Sequence, residues 1–373
     1  MRVTEAQRTR TGTQIAVLVF CALGSFSIVV TGLILGKSFF IPLAIALLLF
    51  VLLTAIIEYV KARKWFGVAC PGWLAAVLGI SSVLLGLFVV VMILGRQATQ
   101  VTAAVPTYQK SFATIFSRVV SFVGEDNAKM VETKLNGLDL SGFAVDAVGQ
   151  AGSVLGGLVL VLLYIAFMMA EKGPMSRKLP LAIGDQERFR NFMRIVDEVV
   201  EAQQRYVGVK TFCSALMGIS CYTVLRIVGL DFAETWGLLA FALNFIPTIG
   251  AILGVLLPSL VALVQFEAIG PLAAVFFGCG IAQFIIGAIV EPALMGRRLN
   301  LAPFMVILAL VVWGTLWGIS GAFLSVPITV CLLIVFGHIP ATRPVAILMS
   351  GDGLVPPLEP ASAPAEDEES EAR

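Results

Sequence analysis

The chain has 373 residues, of which 58% are apolar and only 13% charged, with a mean hydropathy of +0.96 and a net charge of +1. Soluble domains carry about 25% charged residues, so this chain lacks the ionic groups that clothe a water-facing surface, and a soluble globular fold is excluded. The near-zero net charge offers no basic face for nucleic acid, and a lone histidine, His338, leaves His-based metal sites and Ser/His or Cys/His catalysis without their essential group.

A bilayer core of ~30 Å is crossed by about 20 apolar residues rising ~1.5 Å each. Stretches free of Asp, Glu, Lys and Arg lie between Arg10 and Lys37, Lys37 and Glu58, Lys64 and Arg96, Asp146 and Glu171, and Lys210 and Arg226. Three more follow closely, between Glu234 and Glu267, Glu267 and Glu291, and Arg298 and His338. The last holds 39 residues without a charge, too long for one ordinary span. The expected fold is an all-α polytopic membrane protein with about eight hydrophobic segments. No small-residue cleavage site separates the first run from the second, which favours a retained first helix over a signal peptide. The six cysteines, Cys21, Cys70, Cys213, Cys221, Cys279 and Cys331, all lie within or beside apolar runs and read as small buried hydrophobes.

Basic residues set the orientation. Arg2, Arg8 and Arg10 precede the first run, Lys61, Arg63 and Lys64 follow the second, and Lys172, Arg177, Lys178, Arg188, Arg190, Arg194, Arg205 and Lys210 follow the fourth. The positive-inside rule makes these regions cytoplasmic. The chain then divides into helices one to three over 1–96, an extracytoplasmic amphipathic segment over 97–147, a fourth span over 148–170 and a cytoplasmic amphipathic segment over 171–207. A core with broken helices covers 208–338, and an acidic, disordered tail covers 339–373, with both termini cytoplasmic. The two amphipathic segments carry apolar stripes at helical spacing, Phe112, Ile115, Phe116, Val119, Val120 and Val123 in one and Phe189, Phe192, Met193, Val196, Val199 and Val200 in the other. Such stripes either pack on the membrane surface and neighbouring helices or serve gating and oligomer contact.

Two of the apolar runs are interrupted. Asn244-Phe-Ile-Pro247-Thr-Ile-Gly250 with Gly254 and Pro258 breaks 235–266, and Trp313-Gly314, Trp317-Gly318, Gly321 and Pro327 break 299–337. A corresponding pair of broken apolar segments points to a transporter's binding site, and broken backbone at membrane depth survives only where it is buried or lines a cavity. Gly250-Ala-Ile-Leu-Gly-Val255 echoes Gly321-Ala-Phe-Leu-Ser-Val326, each with a proline soon after. Two architectures are open: re-entrant hairpins in an inverted repeat, which keeps Arg297 and Arg298 cytoplasmic, or eight plain spans with those arginines outside. Few polar residues sit at depth. Asn244 either orients a polar solute or satisfies carbonyls freed at Pro247. Gln265 and Gln283 lie at or between the breaks, and Glu291 either binds a coupling proton or cation or pairs with Arg297.

Asn244-Phe-Ile-Pro-Thr-Ile-Gly250 resembles the N-x-I-P-x-I/V-G signature of the autoinducer-2 exporter family, and Glu291-Pro-Ala-Leu-Met-Gly296 is similar to that family's P-x-x-M-G element. Leu301-Ala-Pro303, Trp313-Gly-Thr-Leu-Trp-Gly318 and Gly321-Ala-Phe-Leu-Ser-Val-Pro327 continue the pattern in order, while Thr248 stands where many members have an aromatic residue. The span layout extends the resemblance over nearly the whole chain, with the specific motifs confined to about 205–337. The resemblance implies export of a small polar signalling molecule across the bacterial inner membrane by a homo-oligomer, with a pentamer as the assembly it suggests and a sodium or other cation/proton antiporter as the alternative. The pathway residues expected are Asn244, Pro247, Gly250, Gln265, Gln283, Glu291, Gly318 and Gly321, with Glu291 carrying the coupling ion. No P-loop, nucleotide-binding glycine motif or zinc signature occurs, so neither an enzyme nor a cofactor is expected.

Overall fold

A computed structural model describes residues 23–62, 71–86, 140–296 and 300–355, the pairs 64–65 and 68–69, and isolated positions 17, 20, 21, 88 and 92. The first amphipathic stripe, most of the acidic tail, the N-terminal arginines and Arg297 and Arg298 lie outside the described residues. The described chain is almost wholly helical. α1 (Leu23–Leu35) and α2 (Lys37–Ala62) are followed by two antiparallel strands of two residues each, Lys64–Trp65 and Val68–Ala69, and by α3 (Gly72–Gly86). α4 (Leu140–Ile183) and α5 (Gln186–Val228) are the longest helices, at 44 and 43 residues. Then come α6 (Ala233–Leu243), α7 (Ile249–Phe266), α8 (Ile269–Phe284), a π-helical turn over Ile285–Val290, α9 (Glu291–Met295), α10 (Pro303–His338) and α11 (Arg343–Met349). Among the described residues six helices are long and apolar enough to cross a membrane, with α1, α3 and α6 as shorter apolar helices. The all-α polytopic expectation holds.

α5 is the spine. Its first half carries the basic, amphipathic stretch and its second half the fifth apolar run, so the boundary drawn at 207/208 falls inside one continuous helix. Cys213, Met217, Cys221 and Leu225 recur every four residues on a single face and are fully buried, as one stripe of a helix packed against its neighbours must be. They meet Ala240 of α6, Val255 and Ala262 of α7, and Val275 and Cys279 of α8 in the larger apolar core. A second core joins Ala46, Leu53 and Ile57 of α2 to Ala75 of α3 and Val161 and Ile165 of α4. Away from these cores the helices present Phe212, Ile219 and Ile227 on α5 and Phe276, Phe277 and Phe284 on α8 outward. In water that much exposed apolar surface would aggregate, whereas lipid accepts it.

α5 starts at a defined cap. Asp185 is extended at φ −110°, and its Oδ1 accepts hydrogen bonds from the amides of Glu187 (2.8 Å) and Arg188 (3.2 Å), satisfying donors that have no partner within the helix. The Arg188 amide, then that of Glu187, holds the carboxyl below its ordinary value of 3.8. A group whose folded pKa is depressed contributes its stability above the unfolded pKa and loses it as pH falls through the folded one. The thermal midpoint of the wild type should therefore exceed that of Asp185→Ala by a constant margin at neutral pH. That margin should shrink once the pH drops below 3.8, which paired melting curves at stepped pH would check.

Candidate functional site

The two interrupted segments are hairpins. α6 runs antiparallel to α5, with Asn244 at its end donating from Nδ2 to Ser214 Oγ at 3.0 Å. The chain then turns over 244–248 and α7 returns. Gln265, at the end of α7, accepts from the Asp231 amide (2.8 Å) and donates to the Gly229 carbonyl (3.1 Å), so the segment ends on the side where it began. α6 is only 11 residues, or about 16 Å at ~1.5 Å per residue. α10 behaves alike at the opposite end of α5. Its helical path is interrupted at Gly318 (φ 63°, ψ −139°). Met305 and Leu301 from its beginning share an apolar cluster with Leu332, Leu333 and Phe336 from its end. Leu301 forms a β-bridge with Ser350, and the Ala302 amide donates to the Met349 carbonyl at 3.0 Å. His338, in the last turn, lies 3.5 Å from Glu198 near the start of α5, and Gln203 Nε2 donates to the Pro327 carbonyl at 2.9 Å.

The turns depend on two glycines that the sequence echo singled out. A Cβ on Gly250 would lie 1.7 Å from the Leu243 carbonyl oxygen, and one on Gly321 would lie 1.8 Å from the Trp313 carbonyl oxygen. In a straight helix residues seven or eight apart are separated by about 10–12 Å, so both contacts record a sharp reversal and leave no room for a side chain. Thr248, beside the first turn, holds φ 60°, ψ −58°, and the Ile249 amide donates to the Pro247 carbonyl at 2.6 Å. This is a γ-turn of the strained, positive-φ kind, unusual for a β-branched residue. The two turns meet, the rings of Phe245 and Phe323 packing with centroids 4.9 Å apart and 31° between planes.

Beside this meeting point is a cavity of about 900 Å³. α5 contributes Tyr206 and Lys210, the first turn Asn244, Pro247 and Thr248, and the α8–α9 stretch Gln283, Gly287 and Glu291. Asn300, Val306, Val326 and Asp352 also border it. The π turn has a role here. In an unbroken α-helix residues eight apart are about 80° out of register, and the wider π turn takes up the difference, so that Gln283 and Glu291 both face the cavity. Glu291 Oε1 lies 2.6 Å from Lys210 Nζ, with the side chains 19% and 8% exposed. Five residues earlier on α5, Arg205 donates to the Met295 carbonyl (3.1 Å) and the Leu294 carbonyl (3.3 Å), fixing the end of α9.

Of the residues expected to form a pathway, Asn244, Pro247, Gln283 and Glu291 line this cavity. Gly250, Gly318 and Gly321 shape the turns behind it. Gln265 is not in the wall and ties the base of the first hairpin instead. The described partner of Glu291 is Lys210, a residue that sequence reasoning had counted with the cytoplasmic loop. Its signal was its spacing: Tyr206, Lys210 and Ser214 stand four apart on a helix that has already become apolar.

The sequence matches the AI-2E family transporter over residues 23–341. The chain belongs to the AI-2E transporter family. It is 27% identical to a putative transport protein of Haemophilus influenzae, over 86% of this chain and 93% of that one. It is 26% identical to the AI-2 transport protein TqsA of Escherichia coli K12, over 88% and 94%. With a putative transport protein of Borreliella burgdorferi it shares 30% identity over 67% and 69%. This AI-2E family member is thus a multi-pass membrane transporter.

The two turn glycines give a direct test. Gly250→Ala forces a Cβ into a carbonyl and should cost about 3 kcal/mol or more, since the turn must open to admit it. Gly254→Ala, where a Cβ meets nothing within 4 Å, should be neutral or slightly stabilising. Thermal midpoints of the two purified variants in detergent would check the contrast.

Proposed function

We propose that this protein exports a small polar solute resembling autoinducer-2 across the bacterial inner membrane, through the cavity between its two hairpins. The observation that carries the reading is that cavity: about 900 Å³ of space walled by Lys210, Glu291, Asn244, Gln283 and Thr248 amid apolar helices. Polar groups in such a setting are expensive and mark a route for something polar. The name of the relative TqsA supports the choice of solute, and with it a role in quorum sensing. The hairpins are re-entrant and insert from opposite faces, as an inverted repeat. The end of α5 that bears Arg188, Arg190, Arg194 and Arg205 faces the cytoplasm by the positive-inside rule, with both termini on that side. The outward apolar faces are shared between lipid and further copies of the chain in a homo-oligomer, a pentamer by family resemblance.

Transport without a nucleotide motif draws on an ion gradient or on the gradient of the solute, and Glu291 is the residue on which a coupling proton or cation acts. The same carboxylate favours a second reading, a sodium or other cation/proton antiporter. Proteoliposomes separate the two: labelled autoinducer-2 should leave wild-type vesicles, and Asn244→Ala should slow it about tenfold, the order expected for one polar contact. A sodium jump that changes the internal pH without solute efflux would favour the antiporter, and neither signal from oriented protein would end both readings. For the architecture, a cysteine at Glu267, which is exposed, should label from the periplasm and one at Arg297 from the cytoplasm in a cysteine-depleted background, whereas eight plain spans reverse both. Labelling of both from one face would sink the inverted repeat.

A further inference from the structure

The cavity wall already contains a bound cation, and it is a side chain. Lys210 reaches across from α5 to place its ammonium 2.6 Å from the Glu291 carboxylate on α9, at 8% side-chain exposure. The pair joins residues 81 positions apart, so it is not the incidental neighbour contact of a single helix. Other acceptors stand around it. Gln283 shares the face of Glu291 through the π turn, and Asn244, whose Nδ2 is committed to Ser214, leaves its oxygen as an acceptor in the same wall. Among the described residues, the other ionisable groups near the pair are Tyr206 and Cys213 on α5 and Asp352 from the segment after α11. Arg205 is engaged with main-chain carbonyls. Among the described residues, the charged side chains in this wall are two carboxylates, Glu291 and Asp352, and one ammonium, Lys210.

We propose that the Glu291 carboxylate is a subsite for one monovalent cationic group, and that Lys210 is its tethered occupant, displaced when a free cation takes the same place. The inference rests on the reading of this cavity as the transport route and adds to it the chemistry of what competes there. The geometry that seats a primary ammonium suits two sources of charge, an alkali ion and the protonated amine of a solute. Displacement breaks one ion pair and forms another, with no net transfer of protons or electrons. Because Lys210 is anchored beside its partner, its effective concentration is high. A free cation therefore binds weakly to the wild type and more tightly once the competitor is removed. Lys210 also keeps the carboxylate from standing uncompensated when no ligand is present, which a buried charge does not tolerate.

Thermal midpoints of the purified full-length protein in detergent test this, with sodium, lithium and methylammonium chlorides titrated against choline chloride at equal ionic strength. The wild type should rise above its choline baseline only at high salt. Lys210→Met, which keeps the apolar stem, should reach the half-maximal shift at a concentration at least about tenfold lower, and Glu291→Gln should give no shift specific to any cation. Lys210→Gln serves if the Met variant does not fold. A shift with the alkali ions alone assigns the subsite to an inorganic ion, and one with methylammonium alone to an amine-bearing solute. Wild type flat in all four salts overturns the proposal, as does a folded Lys210 variant with no gain in affinity or a Glu291→Gln protein that keeps the shift. Efflux of labelled autoinducer-2 is read on the same proteins reconstituted into proteoliposomes; its loss with the salt shifts intact counts against the exporter and leaves the subsite standing.

Discussion

A backbone that stops being helical at bilayer depth must find partners for its amides and carbonyls inside the protein, and the architecture of the C-terminal half follows from that requirement. At the first turn the Phe245, Ile246 and Gly250 amides bond back to the carbonyls of Ala242, Leu243 and Ile246, and Ile249 to that of Pro247. These short-range bonds let the chain reverse in five residues without exposing polar groups to lipid. The second turn pivots on one positive-φ glycine. Both reversals press main chain against main chain, which only glycine permits, and so Gly250 and Gly321 occupy equivalent places in two hairpins of opposite direction. The echo between 250–255 and 321–326 thus begins, in each copy, at the glycine on which the reversal closes.

The charges obey the same economy. An ion at this depth is costly alone, and a buried pair roughly breaks even against an apolar replacement. Lys210 and Glu291 therefore contribute little to net stability, and their presence needs another reason. Their position supplies one. The pair bridges α5, which carries the larger apolar core, to α9, which follows a π turn at the rim of the cavity. The π turn is itself a departure from regular helix and is frequent at functional sites. Three costly features, the γ-turn at Thr248, the π turn and the ion pair, border one cavity. Backbone strain persists only where the surrounding structure over-determines it, and such strain clusters at functional sites.

The sequence was most legible where it departed from uniform hydrophobicity. Gly and Pro within 235–266 and 299–337 announced the breaks, and few enough polar residues remained that Asn244, Gln283 and Glu291 stood out. It was least legible where contact depends on the third dimension. Lys210 looked like the last of a basic loop because charge alone was used to end that loop, yet α5 passes through 207 and 208 unbroken. Gln265 looked like a pathway residue because it is polar and near a break, and only the return of α7 to the start of α6 reveals it as the clasp of the hairpin base. No periodicity argument anticipates a π turn, since one extra residue per turn leaves composition unchanged.

The two hairpins are held in unlike ways at base and tip. Their bases are fastened by directional bonds, Gln265 to residues 229 and 231 at one end and residues 300–302 to 349–354 at the other. The tips meet through Phe245 and Phe323, and among the described residues no hydrogen bond links one turn to the other. Apolar contact is non-directional, and sliding one ring over another changes buried area without breaking a bond of fixed geometry. Hydrogen bonds resist the same displacement at the bases. Relative displacement of the hairpins is therefore resisted least at the tips, where Asn244, Pro247 and Thr248 border the cavity, and most at the bases, one of which supplies Asn300 and Leu301 to the same cavity wall.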